Sequence, residues 1–206
     1  EIEKKLKRRN VFISGAAHDY TPFTEETAKE LIHSLSYKIA EKGYKIISGF
    51  GLGIGSTVIN GALDFKLNSN YRNLDDLLIL RPFPQIQSGT KSIAEVWTEY
   101  RNDMISKAGI AVFVFGNKLS DGKIINSNGM EEEFEICLKY NVIPIPIGAT
   151  GYVSKSLWEK VTANLQTYYP DNTELHNAIK ELGKENLTKE EIINNTIKAI
   201  NILQKQ

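Results

Sequence analysis

Along the first 150 residues, short continuous apolar runs alternate with segments whose apolar positions return every three or four residues, a pattern that predicts strands alternating with helices. Asn10-Val11-Phe12-Ile13-Ser14 reads as a strand entering a tight turn at Gly15-Ala16-Ala17. Thr24 then caps a helix with Ala28, Leu31, Ile32, Leu35 and Ile39 inward, stopped by Gly43. The unit repeats: Tyr44 to Ser48 as strand, a glycine-rich turn, and a helix from Thr57 to Lys66 burying Val58, Ile59, Ala62 and Leu63. Leu77 to Arg81 gives a third strand, followed by the breakers Pro82 and Pro84, a loop reaching Ser88-Gly89, and a helix over Ile93 to Lys107. Ala111 to Phe115 is a fourth strand ending at Gly116, Met130 to Tyr140 a helix, and Val142 to Ile147 a fifth strand.

Such alternation implies an α/β, Rossmann-like three-layer domain with a mainly parallel sheet. Beyond Gly151 the strand signal vanishes. Ser156 to Leu165, Thr173 to Leu182 and Thr188 to Gln204 read as a helical C-terminal tail beginning near residue 154, with Thr188 and Glu191 spaced as a capping box. The tail is expected to pack on the sheet or to make a subunit contact.

Composition narrows the class without naming a function. The 206 residues, 41% hydrophobic and 24% charged, suit one large domain with a real core. Lysine plus arginine equals aspartate plus glutamate at 25 each, which leaves no global positive field for nucleic acid or anionic lipid. Cys137 sits in an apolar run and reads as a buried helix residue, and His18, His33 and His176 are too scattered to join it around a metal. No run approaches the ~20 apolar residues of a membrane span and no signal peptide is evident, so a cytoplasmic protein is expected. The charged residues 1–9 resemble a helical connector from a preceding domain, which makes the chain a candidate fragment of a longer protein.

In an open parallel sheet, ligands bind beyond the carboxyl ends of the strands. The residues there are Gly15, Ala16, Ala17 and His18 after strand one, the turn Ser48-Gly49-Phe50-Gly51-Leu52-Gly53-Ile54-Gly55-Ser56 after strand two, Arg81, Pro82 and Phe83 after strand three, and Gly116, Asn117 and Lys118 after strand four. Glycines in the turn leave amides unshielded, and the following helix directs its positive end to the same spot, which suits a phosphate. Ser48 and Ser56 can add hydroxyl donors. The turn nonetheless fails the dinucleotide fingerprint, because Ile54, Ser56 or Val58 stands where the third glycine belongs, and it lacks the lysine of a P-loop. A second reading of it is a packing turn that lets the next helix approach the sheet. Arg101 alone reads as a surface arginine and Glu131 and Glu132 as complements to a helix dipole, whereas Glu133 stays open between roles. The stretch from Lys118 to Gly129, with Gly122 and several asparagines, reads as a flexible loop able to order on binding.

Taken in order, Val11-Phe12-Ile13-Ser14-Gly15, Ser48 to Gly55, Tyr100-Arg101-Asn102, Val114-Phe115-Gly116-Asn117-Lys118 and Gly129-Met130-Glu131-Glu132-Glu133-Phe134 resemble the SLOG superfamily, which includes the LOG phosphoribohydrolases and the DNA-processing protein Smf/DprA. Over the whole chain the resemblance is to the SLOG domain that follows a sirtuin-like NADase domain in effectors of the bacterial Thoeris anti-phage system. It implies a non-catalytic sensor that needs no cofactor or metal and binds a cyclic ADP-ribose isomer made by a partner TIR-domain protein. Binding would switch on the linked NADase in a homo-oligomer, a tetramer. Within the resemblance, Arg101 and Lys118 engage the diphosphate or ribose hydroxyls, Glu133 accepts from a ribose, and the glycine turn supplies amides. The implied pocket comprises Gly15, Ala16, Ser48, Gly49, Phe50, Gly51, Gly53, Arg81, Phe83, Gly116, Asn117 and Met130 besides those three. The LOG motif P-G-G-x-G-T-x-x-E falls on Ile125 to Glu133 and keeps only Gly129 and Glu133, and the LOG Arg-Lys pair becomes Arg101-Asn102. A carboxylate retained in a degraded motif points to binding without turnover, the alternative being a LOG-like phosphoribohydrolase. Zero net charge argues against a single-strand DNA groove.

Overall fold

A computed structural model describes residues 2–70, 73–86 and 89–205; Ser88, where the sequence places the end of a loop, lies outside them. Five parallel strands form the sheet: β1 (Asn10–Ala16), β2 (Lys45–Ser48), β3 (Leu78–Leu80), β4 (Ile110–Phe115) and, numbered in chain order, β7 (Ile143–Pro146). Their spatial order is β3-β2-β1-β4-β7. Every residue of β4 and the five central residues of β1 are buried, as a sheet covered on both faces requires. Right-handed crossovers put α2 (Glu25–Glu41) and α3 (Gly55–Leu67) on one face and α4 (Ile93–Ile105) and α5 (Asn128–Lys139) on the other. The chain reverses its direction of travel across the sheet between β1 and β4, which opens a crevice at their carboxyl ends.

The leading segment folds as α1 (Ile2–Arg8) without burying a residue, and is tied to the domain where Arg8 Nη1 donates to the Leu203 carbonyl at 2.9 Å. The tail comprises α6 (Tyr152–Thr162), the single turn α7 (Leu165–Tyr168), α8 (Thr173–Glu181) and α9 (Lys189–Gln204). It covers its own domain: α9 lies on α2, where Tyr44 Oη donates to Asn201 Oδ1 at 3.0 Å. Trp158 of α6 fixes the turn after α8, its indole Nε1 donating to the Ile179 carbonyl at 2.7 Å. A Cβ on Gly183 would stand 2.0 Å from that indole, so only glycine closes the turn.

The stretch expected as a loop from Lys118 to Gly129 is instead an antiparallel hairpin of β5 (Asn117–Ser120) and β6 (Lys123–Asn126), running into α5. Asp121 and Gly122 both take positive φ, 50° and 72°, the geometry of a two-residue type I′ turn. Asp-Gly between short strands was the available signal. It was masked because the flanking residues are mostly polar and β6 is exposed throughout.

Candidate functional site

The carboxyl ends of the strands surround a cavity of about 530 Å³, within the usual range for a small-molecule site. Gly15 and Ala16 close it below, the turn from Gly49 to Ser56 forms one side, Pro82, Phe83 and Gln85 another, and Trp97 and Arg101 reach in from α4. Ser127, Gly129, Met130 and Glu133 line it from the start of α5.

The glycine turn is first a packing device. A Cβ on Gly51 would meet the Gly15 carbonyl oxygen at 2.0 Å, and one on Gly53, where φ is +74°, would meet that of Ala17 at 1.8 Å. The turn is locked onto β1 by the Ala17 amide donating to the Leu52 carbonyl at 2.8 Å. The packing reading of the turn therefore holds, and the same close approach to β1 brings its backbone to the cavity wall. Phe50 sits beside it at φ 59°, a left-handed conformation that costs a bulky residue about 1–2 kcal/mol, and its ring is half exposed on the rim.

Two helices begin at this wall. The N-cap residues of α3 and α5, Ile54 and Ser127, make no side-chain capping bond. Of their first-turn amides, that of Gly55 donates to the Gly51 carbonyl at 2.8 Å and that of Met130 to the Ser127 carbonyl at 3.1 Å, and the positive ends of both helices border the cavity.

Arg101 is the cation of the cavity lining, and three side chains surround it. Its Nη1 donates to Glu132 Oε2 at 2.8 Å, its Nε lies 3.4 Å from Glu133 Oε1, and its guanidinium carbon stands 5.0 Å over the Phe83 ring. Gly129 makes room for it: a Cβ there would lie 2.6 Å from Nη2. Glu133 is buried and accepts from Ser14 Oγ at 2.6 Å. Burial pushes its carboxyl above the usual range, against the opposing pull of the Ser14 hydroxyl and the Arg101 guanidinium. Nearby, Trp97 stacks edge-on to Phe83 and donates its indole N–H to the Pro84 carbonyl at 2.7 Å, which fixes the wall after β3.

Ten of the expected ligand residues thus converge: Gly15, Ala16, Gly49, Phe50, Gly51, Gly53, Phe83, Arg101, Met130 and Glu133. Five others do not line the cavity. Ser48 is buried beneath the turn, where its Oγ accepts from the Phe50 amide at 3.2 Å. Arg81 turns away to Asp103, Nε to Oδ2 at 3.5 Å. Gly116 packs under Val153. Asn117 is fully buried and holds the loop after β1, its Oδ1 accepting from the amides of His18 and Asp19 at 3.0 and 2.8 Å. Lys118 extends along the hairpin and bonds Asn128.

Sequence reasoning passed over Ser14, Trp97 and Glu132. Trp97 and Arg101, four apart on α4, were recognisable as one helix face. Glu132 does more than complement a dipole, since its Oε1 also accepts from Thr98 Oγ1 at 2.6 Å. Among the described residues no group of three or more His, Cys, Asp or Glu could hold a metal ion. Nor, among these residues, is any helix long and apolar enough to cross a membrane.

The profile of the Sir2- and TIR-associating SLOG family, STALD, matches residues 1–203. The chain belongs to this family. Relatives agree: it is 43% identical over 205 residues to the NAD(+) hydrolase ThsA of Cytobacillus dafuensis, covering 98% of this chain and 42% of that protein. The ThsA of Bacillus cereus is 43% identical over 204 residues with the same coverage, and that of Acinetobacter baumannii 35% over 192 residues, 90% of this chain and 40% of the relative. This STALD chain therefore spans about two-fifths of the length of these curated relatives. Its fold resembles the X-ray structure of TM1055, a structural-genomics target, with a TM-score of 0.53 at 12% identity, covering 96% of this chain and 99% of the other.

Proposed function

We propose that this STALD domain is the ligand sensor of a longer NAD-hydrolysing protein, and that its cavity takes a cyclic ADP-ribose isomer made by a TIR-domain partner. The observation that carries this reading is the cavity itself: one clamped arginine and two uncapped helix starts face a space of nucleotide size, with the aromatic rings of Phe50, Phe83 and Trp97 on its walls. Phosphate suits the arginine and the helix ends, and an adenine suits the rings. Sensing is favoured over turnover because Glu133 is buried and tied to Ser14, and because two of the three glycines and the threonine of the LOG motif are missing from Ile125 to Met130. In the full protein, acting in the cytoplasm as a homo-oligomer, occupancy would release a sirtuin-like NADase domain that precedes this one; the relatives' names and lengths support that arrangement.

Titration calorimetry with NAD, ADP-ribose, cyclic ADP-ribose and its glycosidic isomers tests the reading, with chromatography of the recovered ligand. The expected result is saturable binding of a cyclic isomer recovered intact, weakened about 10–100-fold in Arg101→Ala by loss of a charged hydrogen-bonding partner. No binding by any of the four classes would overturn it. Free adenine released from AMP, and lost in Glu133→Ala, would establish the phosphoribohydrolase in its place.

A further inference from the structure

Within α4, the residues that reach the cavity are not those that anchor the helix. Its buried residues are Met104 and Ile105, at its end, while Trp97 and Arg101 lie before them, in the stretch from Ile93 to Asp103 that has no buried residue. Burial of side chains therefore does not by itself hold this stretch of α4 against α5. Polar ties to α5 do. One is Asn102, whose Oδ1 accepts from Lys139 Nζ and Tyr140 Oη, both at 3.1 Å. The other is Glu132, which grips α4 twice, through Thr98 Oγ1 at 2.6 Å and Arg101 Nη1 at 2.8 Å. Glu132 is absent from the cavity lining and borders a separate groove with Glu135 and Lys160.

We propose that Glu132 is the positioning residue of the ligand site: from outside the cavity lining it holds Arg101 at one azimuth, with its remaining donors presented to an anionic ligand. The proposal rests on the ligand reading above for its functional meaning, although the positioning itself does not. A guanidinium left free would lose rotamer entropy on binding, so a residue that pre-orients it makes binding tighter without touching the ligand. Glu133, 3.4 Å from Nε and inside the cavity, is too long a contact to fix the fork by itself.

The 206-residue chain tests this with Glu132→Ala, Glu132→Gln and Asn102→Ala, each compared with the parent chain. Two readouts are used: affinity for whichever of ADP-ribose, cyclic ADP-ribose and its glycosidic isomers binds the parent, and the rate at which phenylglyoxal modifies Arg101, followed by peptide mass spectrometry. Glu132→Ala is expected to weaken binding about tenfold and to speed modification several-fold, with Glu132→Gln, which keeps an acceptor, in between. Asn102→Ala, which loosens α4 without releasing Arg101, is expected to stay near the parent in both. Unchanged or tighter binding in Glu132→Ala overturns the proposal, as does an Asn102→Ala chain that reproduces its effects. If the parent binds none of these ligands, the sensor reading falls while the modification rate still decides the positioning: faster sustains it, unchanged overturns it.

Discussion

The helices that open on the cavity and the last two helices of the C-terminal tail begin in opposite ways. In the tail, α9 starts with a complete capping box between Thr188 and Glu191, and α8 with Asn172 accepting from the Leu175 amide at 2.8 Å. At the cavity, α3 and α5 start on Ile54 and Ser127 with no side-chain cap. These two helices follow local rules because nothing but their own packing has to be satisfied, whereas α6 starts on Gly151 without a side-chain cap and with Tyr152 at φ 52°. The cavity wall departs from the rules in its uncapped helix starts, in the left-handed conformation of Phe50 and in the burial of Glu133, and such departures concentrate where a protein binds something.

The comparison breaks first if the rim glycines serve only a ligand. In that case Gly53→Ala would leave the fold intact and change binding alone. The contact with the Ala17 carbonyl instead predicts a loss of about 3 kcal/mol or more, since backbone must move to admit a methyl group. Gly183→Ala in the tail should cost a similar amount against the Trp158 ring. Gly122→Ala, with nothing within 4 Å and only its φ of +72° against it, should cost about 1 kcal/mol. Urea unfolding of the three variants ranks them; a Gly53→Ala midpoint equal to that of Gly122→Ala would remove the packing role from the turn.

The caps give a smaller and sharper contrast. Thr188→Ala should lower stability by about 1 kcal/mol, while Ser127→Ala, which removes no capping bond, should change it by no more than a few tenths. Equal losses in chemical denaturation would mean that Ser127 caps α5 after all, and the two regions would no longer differ.

Most of the fold was legible in the chain, because the core strands are continuous apolar runs and the last two tail helices carry their own start signals. Strand order was not legible, since the crossover rule sets handedness and leaves the order of the strands open. The hairpin was not legible by periodicity, since β6 is exposed throughout and only Asp121-Gly122 marks it. In the site, residues on the turn and on α5 could be found because they sit at strand ends or carry family motifs. Side-chain direction was what the sequence withheld: Arg81 and Lys118 end strands as expected, yet each leaves the cavity for a polar partner nearer its own backbone, Asp103 and Asn128. Ser14 was hidden for the reverse reason, a small hydroxyl inside a buried strand whose partner lies 119 positions away.

The smallest expected effect is the one that reports most directly on the buried carboxyl. Burial raises the Glu133 value in the folded chain, so the folded state holds its proton to higher pH than the unfolded chain does. Its contribution to stability is then fully present below the ordinary carboxylate range and is lost as pH rises through the raised value. Glu133→Gln keeps the shape and an acceptor but cannot ionise. Relative to this variant, the parent chain should be most stable near pH 4 and should lose ground as pH climbs towards 7, a difference measurable as diverging melting temperatures across that range. Parallel melting curves from pH 4 to 7 would mean that Ser14 and Arg101 fully offset the cost of burial. Glu133 would then stand as an ordinary ionised partner of Arg101, and the cavity wall would differ from the last two tail helices in its helix starts alone.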